Sequence, residues 1–145
     1  MKRLLLILMV LALSIVLLTG CSGTVTLNVE RFVGFWLNED ANTNSITKAD
    51  IQKNNDLLEI YMWGKCHPTD CDWAAMNNPV GPATTTVDDA DDGVLNIVWY
   101  PDFAIETQEL ILLPDGRLRV KTFVHFYPDD IYGREDYEYI VYFIK

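Results

Sequence analysis

The stretch AIETQELILLPDGRLRVKTFVHFY, residues 104–127, decides the predicted fold. Two strand-like segments, Ala104–Leu113 and Arg117–Tyr127, flank the sequence Pro114-Asp115-Gly116. Proline presets φ at a turn and glycine accepts positive φ, so the stretch predicts a β-hairpin. Alternate side chains of the second segment share one face of its strand, namely Leu118, Val120, Thr122, Val124 and Phe126.

From Phe32 onward the chain shows no helical periodicity, and β-branched and aromatic residues lie between turn signals. Further strands are predicted at Val33–Asn38, Ser45–Lys53, Leu57–Trp63, Asp72–Met76, Val94–Tyr100 and Glu135–Ile144. The longer segment Asn77–Gly93 is predicted to be a surface loop. The pattern therefore predicts an all-β domain, an antiparallel up-and-down meander of about eight strands that closes into a small barrel.

The amino terminus has the layout of a secretory signal. Lys2 and Arg3 precede an apolar run from Leu4 to Leu18, and small residues follow it. The run is 15 residues long, whereas a membrane-spanning helix needs about 20 apolar residues. Export is therefore the favoured interpretation, and a plain transmembrane anchor is the alternative.

The four residues Leu18-Thr19-Gly20-Cys21 resemble the lipobox of bacterial lipoproteins. The resemblance implies cleavage before Cys21 and acylation of its thiol, which would anchor the protein to the cell membrane. Ser22 stands where an Asp would retain many Gram-negative lipoproteins at the inner membrane, so the outer membrane is favoured in a Gram-negative organism. We therefore expect a signal peptide at 1–20, a lipid-anchored linker at 21–31 and a β-barrel domain at 32–145.

The net charge of −10 makes some partners unfavourable. Removal of residues 1–20 takes away two basic residues, which leaves nine against 21 acidic ones and a charge of −12. An acidic domain repels phosphate backbones and anionic headgroups. We therefore expect no nucleic-acid partner, and we expect membrane contact through the lipid on Cys21.

Two cysteines remain once Cys21 is assigned to lipid. Cys66 and Cys71 lie close together in an exported chain, so a disulfide that fixes a short loop is expected. Zinc held by these thiolates with the imidazole of His67 is the alternative, in a loop that also carries Asp70 and Asp72. Four aspartates lie in the sequence Asp-Asp-Ala-Asp-Asp-Gly at residues 88–93. They either form a solvated turn or bind calcium. The turn is favoured, because the spacing is not that of an EF-hand loop.

Two further segments carry resemblances. Gly34-Phe35-Trp36, followed by Asn38, is similar to the G-x-W that opens the barrel of lipocalins and avidins. That similarity implies a lipocalin/avidin-like barrel in which Trp36 closes one end, often under a basic residue of the last strand, where this chain has Lys145. The segment 63–73, WGKCHPTDCDW, resembles a motif of small secreted bacterial proteins whose function is unassigned.

The candidate binding residues are two tryptophans and two polar residues around the cysteine loop, namely Trp63, His67, Asp70 and Trp73. Aromatic side chains either line a ligand pocket or fill a small barrel. Neither His67 nor His125 belongs to a recognisable nucleophile motif, so no catalytic residue, metal or cofactor is predicted. We expect a non-enzymatic binding module for a small apolar or aromatic ligand or an envelope partner. The alternative is a structural or interaction lipoprotein with a fully packed barrel, and an enzyme is the least favoured class.

Overall fold

The computed structural model describes residues 29–77, 81–86 and 93–145. The predicted signal peptide, the lipobox with Cys21 and most of the linker lie outside the described residues, as do the acidic residues 88–92. Within the described ranges no helix is long and apolar enough to cross a membrane.

The described chain is all-β and its strand pairs are antiparallel, as predicted. A 3₁₀ turn, Val29–Arg31, precedes the first strand. The described strands are β1 (Gly34–Asn38), β2 (Ile46–Asn54), β3 (Leu57–Gly64), β4 (Cys71–Asp72), β5 (Ala83–Thr86), β6 (Val94–Trp99), β7 (Ala104–Leu112), β8 (Leu118–Phe126) and β9 (Tyr137–Ile144).

The strands follow one another as a meander that curls into a half-barrel. The hydrogen-bonded order is β3-β2-β1-β9-β8-β7-β6, and β5 continues the series on the other edge of β3. The two-residue β4 pairs with the same edge of β3 at its carboxyl end. Cα atoms of β5 and β6 come within 8 Å of each other, so the two edges of the curled sheet face one another.

The hairpin β7–β8 has the register that its turn predicts. Leu112 lies opposite Leu118, and the pairing continues without a shift to Ala104 opposite Phe126. The face of β8 that carries Leu118 is the buried one. The inward faces of the other strands supply large buried side chains, among them Trp36, Ile51, Leu58, Ile60, Leu95 and Phe143.

The predicted strand Asp72–Met76 is wrong. Strand pairing stops at Asp72, and a short helix α1 (Trp73–Met76) follows. The Asp72 carboxylate accepts hydrogen bonds from the backbone N–H groups of Ala74 at 2.9 Å and Ala75 at 3.4 Å. Asp72 is therefore the N-cap of α1, and this local bond favours helix over a continued strand.

The predicted loop Asn77–Gly93 also contains a strand, β5. The segment Ala83-Thr84-Thr85-Thr86 pairs with residues 57–60 of β3, and it buries Ala83 and Thr85 while Thr84 faces outward. Threonine fits a half-buried pleated surface. The prolines and glycines on either side hid this short run from the sequence analysis.

One end of the half-barrel is closed by Trp36. The indole Nε1–H of Trp36 donates a hydrogen bond of 2.8 Å to the carbonyl of Phe32. The Nζ of Lys145 lies 4.5 Å from the centre of the Trp36 ring and donates to the carbonyls of Arg31 and Val33 at 2.9 and 2.8 Å. We call this region the closed end.

Candidate functional site

A cleft of about 650 Å³ opens at the other end of the half-barrel. Tyr137 lies on its wall at the start of β9, eight residues before Lys145. Strand residues rise about 3.3 Å each, so roughly 26 Å separate this wall from the closed end. We call it the mouth cleft, and its main side chains are Trp73, Met76, Phe103, Glu106, Tyr137 and Tyr139.

Trp73 forms one wall of the mouth cleft and is held from two sides. A Cβ atom on Gly64 would come within 2.7 Å of the indole Nε1. The ring therefore packs directly on the backbone of Gly64, and any other residue there would clash with it. The Trp73 ring also meets the edge of Trp99, with the ring centres 5.6 Å apart and the planes at 89°. Edge-to-face contacts of this kind favour one ring orientation.

The disulfide Cys66–Cys71, which the sequence predicted, joins the end of β3 to β4. Both cysteines border the mouth cleft. Because Trp73 follows Cys71 by two residues, the bridge fixes the chain that presents the indole to the cleft. The predicted role of the disulfide as a constraint on one connection is therefore consistent with its position.

A smaller recess of about 120 Å³ continues the mouth cleft toward Trp99 and Pro101. Asn77, which is 1% exposed, holds its border. The side-chain oxygen of Asn77 accepts from the backbone N–H of Tyr100 at 2.7 Å, and its amide nitrogen donates to the carbonyl of Gly81 at 2.7 Å. These bonds tie the end of α1 to the end of β6, and they give the recess a fixed shape.

A row of aromatic rings runs from the turn before β7 across β8 to β9, and three of its rings, Phe103, Tyr137 and Tyr139, line the mouth cleft. Phe103 stacks on Phe126 at 6.3 Å, Phe126 meets Tyr137 at 6.0 Å, and Tyr137 stacks on Tyr139 at 6.0 Å. Arg134 covers the outer part of this row, with its guanidinium carbon 4.3 Å from the centre of the Phe126 ring. The rings present an apolar surface that is held in place by packing.

A chain of hydrogen-bonded side chains runs from Trp99 through the buried Gln108 and Thr122 to Tyr139, which lines the mouth cleft. Trp99 Nε1–H donates to Gln108 Oε1 at 2.9 Å, and Gln108 Nε2 donates to Thr122 Oγ1 at 3.1 Å. The Tyr139 hydroxyl hydrogen-bonds the side chains of Thr122 and Ser45. Burial raises the pKa of Tyr139 to about 12, so this hydroxyl stays neutral at physiological pH.

Glu106 differs from these polar groups. It is 9% exposed, points inward from β7 and borders both the mouth cleft and the recess. Within the described part of the chain its carboxyl makes neither a hydrogen bond nor a salt bridge. Burial raises the pKa of Glu106 to about 7, because the charged form loses hydration that no partner replaces.

The structure brings one of the predicted tryptophans to the cleft and leaves the other outside it. Trp73 is a wall of the mouth cleft. Trp63 lies on the outer face of β3, where the Nζ of Lys48 sits 5.0 Å from the centre of its ring. The two flanking tryptophans of the cysteine loop therefore do not form one surface.

The two predicted polar residues lie in the loop closed by the disulfide. His67 is exposed at the tip, while Asp70 accepts a hydrogen bond of 2.8 Å from Thr47 Oγ1. The disulfide removes both thiolates as zinc ligands. Among the residues that the structure describes, no three His, Cys, Asp or Glu side chains are grouped to hold a metal ion.

Sequence reasoning missed Glu106 and the aromatic row. Both faces of β7 mix polar and apolar residues, so its alternation does not reveal the inward face. A signal was nevertheless present in the hairpin. Counting outward from the turn at Asp115 and Gly116 puts Glu106 opposite Val124, on the face that Leu118 makes apolar.

No family model matches this chain, and no curated protein or solved structure matches it. The mouth cleft and its residues are therefore the basis for the assignment of function.

Proposed function

We propose that this protein is a non-enzymatic binding module of the cell envelope, and that the mouth cleft holds a small ligand with an apolar or aromatic body. The observation that carries the proposal is the cleft of about 650 Å³ between Trp73 and the aromatic row. Ligand pockets are commonly apolar and aromatic with a few polar groups, and pockets of about 300–1,000 Å³ suit small molecules. Glu106 would be the polar group that selects among such ligands.

The shape of the half-barrel favours this proposal over a structural lipoprotein with a fully packed barrel. Packing is complete at the closed end, where Phe32 and Trp36 are each 1% exposed. At the mouth, by contrast, Phe103 is 41% exposed and Tyr137 is 50% exposed. A fully packed barrel would bury such rings on one another, whereas a binding module leaves their faces for a ligand.

The sequence resemblances extend the proposal to the location of the protein. A lipid on Cys21 would hold the domain at the membrane, and Val29 is the eighth residue after Cys21. An extended chain of that length spans at most roughly 28 Å. Val29 packs into the core with Trp36, so the tether would leave from the closed end and the mouth cleft would open away from it. The closed end also fits the lipocalin/avidin-like reading of Gly34-Phe35-Trp36.

A neutral apolar fluorophore, N-phenyl-1-naphthylamine, tests the proposal. We expect saturable binding at one site, detected as enhanced and blue-shifted emission. Phe103→Ala and Trp73→Ala should each weaken binding about tenfold, which corresponds to a loss of about 1.4 kcal/mol of contact.

Phe123→Ala is the matched control. Phe123 is 42% exposed, close to the 41% of Phe103, but it lies on the outer face of β8. This variant should bind like the native protein. Binding that is equally weakened by Phe123→Ala would place the fluorophore elsewhere, and the lack of any saturable binding would overturn the proposal.

A further inference from the structure

The mouth cleft holds a carboxyl group that lacks a cationic partner. Glu106 is more than nine-tenths buried, and its side chain borders both cavities. Buried carboxyl groups are ordinarily paired with a cation or hydrogen-bonded, since an isolated one is costly to keep in an apolar site. Glu106 is buried and unpaired beside a cleft of ligand size. Its position therefore points to a ligand that supplies the missing partner of the carboxyl group.

The basic residues near the mouth have other partners or lie at its rim. Arg134 forms a salt bridge of 2.6 Å with Asp130 and covers the ring of Phe126. Lys48 lies 4.0 Å from Asp70. Lys65 borders the cleft but is exposed to water.

The strands and the helix beside Glu106 bring no further cation. On β6 the residue opposite Glu106 is Trp99, and on β8 it is Val124. The helix α1 contributes Trp73 and Met76 to the cleft. The titratable groups that β9 contributes to the cleft are Tyr137 and Tyr139, and burial raises the pKa of both. The side chains that line the cleft around Glu106 are therefore aromatic or uncharged within the described chain, apart from Lys65 at the rim. Arg134 lies outside them, over the Phe103 ring, and is paired with Asp130.

We propose that the ligand is an organic cation, a protonated amine carried on an aromatic or apolar body, whose ammonium group pairs with the Glu106 carboxylate. This inference rests on the proposed binding function and names its ligand class. The body of the ligand lies against Trp73 and Phe103, and the ammonium reaches past them to Glu106.

Two physical effects favour a cation at this position. An ammonium group supplies the charge and hydrogen bonds that the buried carboxylate lacks, in a setting where water competes poorly. Aromatic ring faces carry negative potential, so the rings of the cleft attract the same cation. The acidic balance of the whole chain, −10, also favours the approach of cations and disfavours anions.

Three indole probes with the same two-carbon side chain separate charge from shape. Tryptamine carries an ammonium group, tryptophol a neutral hydroxyl and indole-3-propionate a carboxylate. Isothermal titration calorimetry at pH 8 should show that tryptamine binds at least about tenfold more tightly than tryptophol, a difference of about 1.4 kcal/mol. Indole-3-propionate should bind most weakly.

Glu106→Gln tests the named group, and Glu109→Gln is its matched control. Both changes remove one negative charge from β7, but Glu109 lies on the outer face, where it pairs with Arg119 at 2.7 Å. Glu106→Gln should weaken tryptamine about tenfold or more and leave tryptophol unchanged. Glu109→Gln should bind all three probes like the native protein. Circular dichroism and thermal melting establish that both variants are folded.

The pH dependence gives a second readout. The ammonium group of an alkylamine titrates near about 10, so between pH 5.5 and pH 8 it is Glu106 that changes charge in the cleft. Tryptamine affinity should rise over this interval in the native protein and stay flat in Glu106→Gln.

The outcomes distinguish this inference from the proposed function. Equal or tighter binding of tryptophol, or unchanged tryptamine affinity in Glu106→Gln, would overturn the cationic class and leave a binding cleft in place. If none of the three indoles binds while N-phenyl-1-naphthylamine does, the inference fails and the proposed function stands. If that fluorophore also fails to bind, both are wrong.

Discussion

The two ends of the half-barrel satisfy their polar groups in opposite ways. At the closed end, Trp36 donates its indole hydrogen bond to Phe32, and Lys145 donates to Arg31 and Val33 while it lies against the Trp36 ring. Every one of these partners comes from the chain itself. At the mouth, the Glu106 carboxyl is left without such a partner in the described chain, beside rings that are partly exposed.

Under the proposed function, the two ends of the same sheet have different roles: the closed end stabilises the fold and the mouth binds the ligand. At the closed end the hydrogen-bonding groups named above already have partners within the chain, so they are not available to a ligand and they stabilise the fold. An end that keeps a carboxyl buried without a partner loses stability until a partner arrives. The following variants test this division, from the largest expected effect to the smallest.

The largest effect is expected at the closed end. Trp36→Ala should lower the free energy of unfolding by about 3–5 kcal/mol, because it removes a fully buried ring and leaves a cavity. Trp63→Ala is the control, since Trp63 lies on the outer face of β3 and is only partly buried. Urea denaturation measures both. Equal losses in the two variants would mean that the closed end does not dominate stability.

At the mouth, a substitution should raise stability. The pKa of Glu106 lies at about 7 in the folded protein against 4.5 for the free group, so the folded state holds this proton to higher pH than the unfolded state. The stability that the protein has while Glu106 is protonated is therefore lost as pH rises from about 4.5 to 7. The loss is on the order of 3 kcal/mol above pH 7.

Glu106→Gln should recover part of that free energy at pH 8, about 1–3 kcal/mol, and should recover little at pH 4, where the native carboxyl is neutral. Denaturation curves at the two pH values measure the effect. Glu109→Gln should change stability by less than about 1 kcal/mol at both, as expected for a partly exposed ion pair. A native protein that is more stable than Glu106→Gln at pH 8 would show that the carboxyl has a partner.

The disulfide near the mouth should make a moderate contribution to the stability of the protein. The double change of Cys66 and Cys71 to Ser should lower the free energy of unfolding by about 2 kcal/mol, the entropy of a small closed loop. Because the bridge fixes the chain that presents Trp73, the same variant should also bind N-phenyl-1-naphthylamine more weakly. Stability lost without any change in fluorophore affinity would show that the bridge does not position the indole.

The smallest effect is expected for Lys145. Lys145→Met keeps the apolar stem and removes the charge, so the Trp36 ring stays covered while the carbonyls of Arg31 and Val33 lose a donor. We expect a loss of about 1 kcal/mol. Fluorophore binding at the mouth should be unchanged. A change in that affinity would couple the two ends and contradict their separation.

Much of the fold follows from local sequence signals. The turn Pro114-Asp115-Gly116 fixes the register of β7 and β8, and alternation along β8 marks its buried face. Local side-chain hydrogen bonds decided part of the rest. Asp72–Met76 is predicted as a strand, but the side chain of Asp72 caps a helix turn and the alanines and Met76 favour helix. Such a local hydrogen bond is not visible in hydrophobic periodicity.

The candidate site was only partly predictable. Trp73 was identified because it flanks the cysteine loop, but the other aromatic residues of the cleft, Phe103, Tyr137 and Tyr139, lie 30 or more residues away in the sequence. Phe103 and Tyr137 meet through Phe126, a contact that depends on how the sheet curls. A single sequence shows which residues share a strand face, and it does not show which faces meet across a barrel.

The four tryptophan indoles allow the most direct test of the central claim, which is that ligands bind at the mouth and not at the closed end. In ¹H–¹⁵N spectra, saturation with N-phenyl-1-naphthylamine should shift the Nε1–H signals of Trp73 and Trp99. The signals of Trp36 at the closed end and of Trp63 on the outer face should stay in place. A shift of the Trp36 signal with no change at Trp73 would contradict the account.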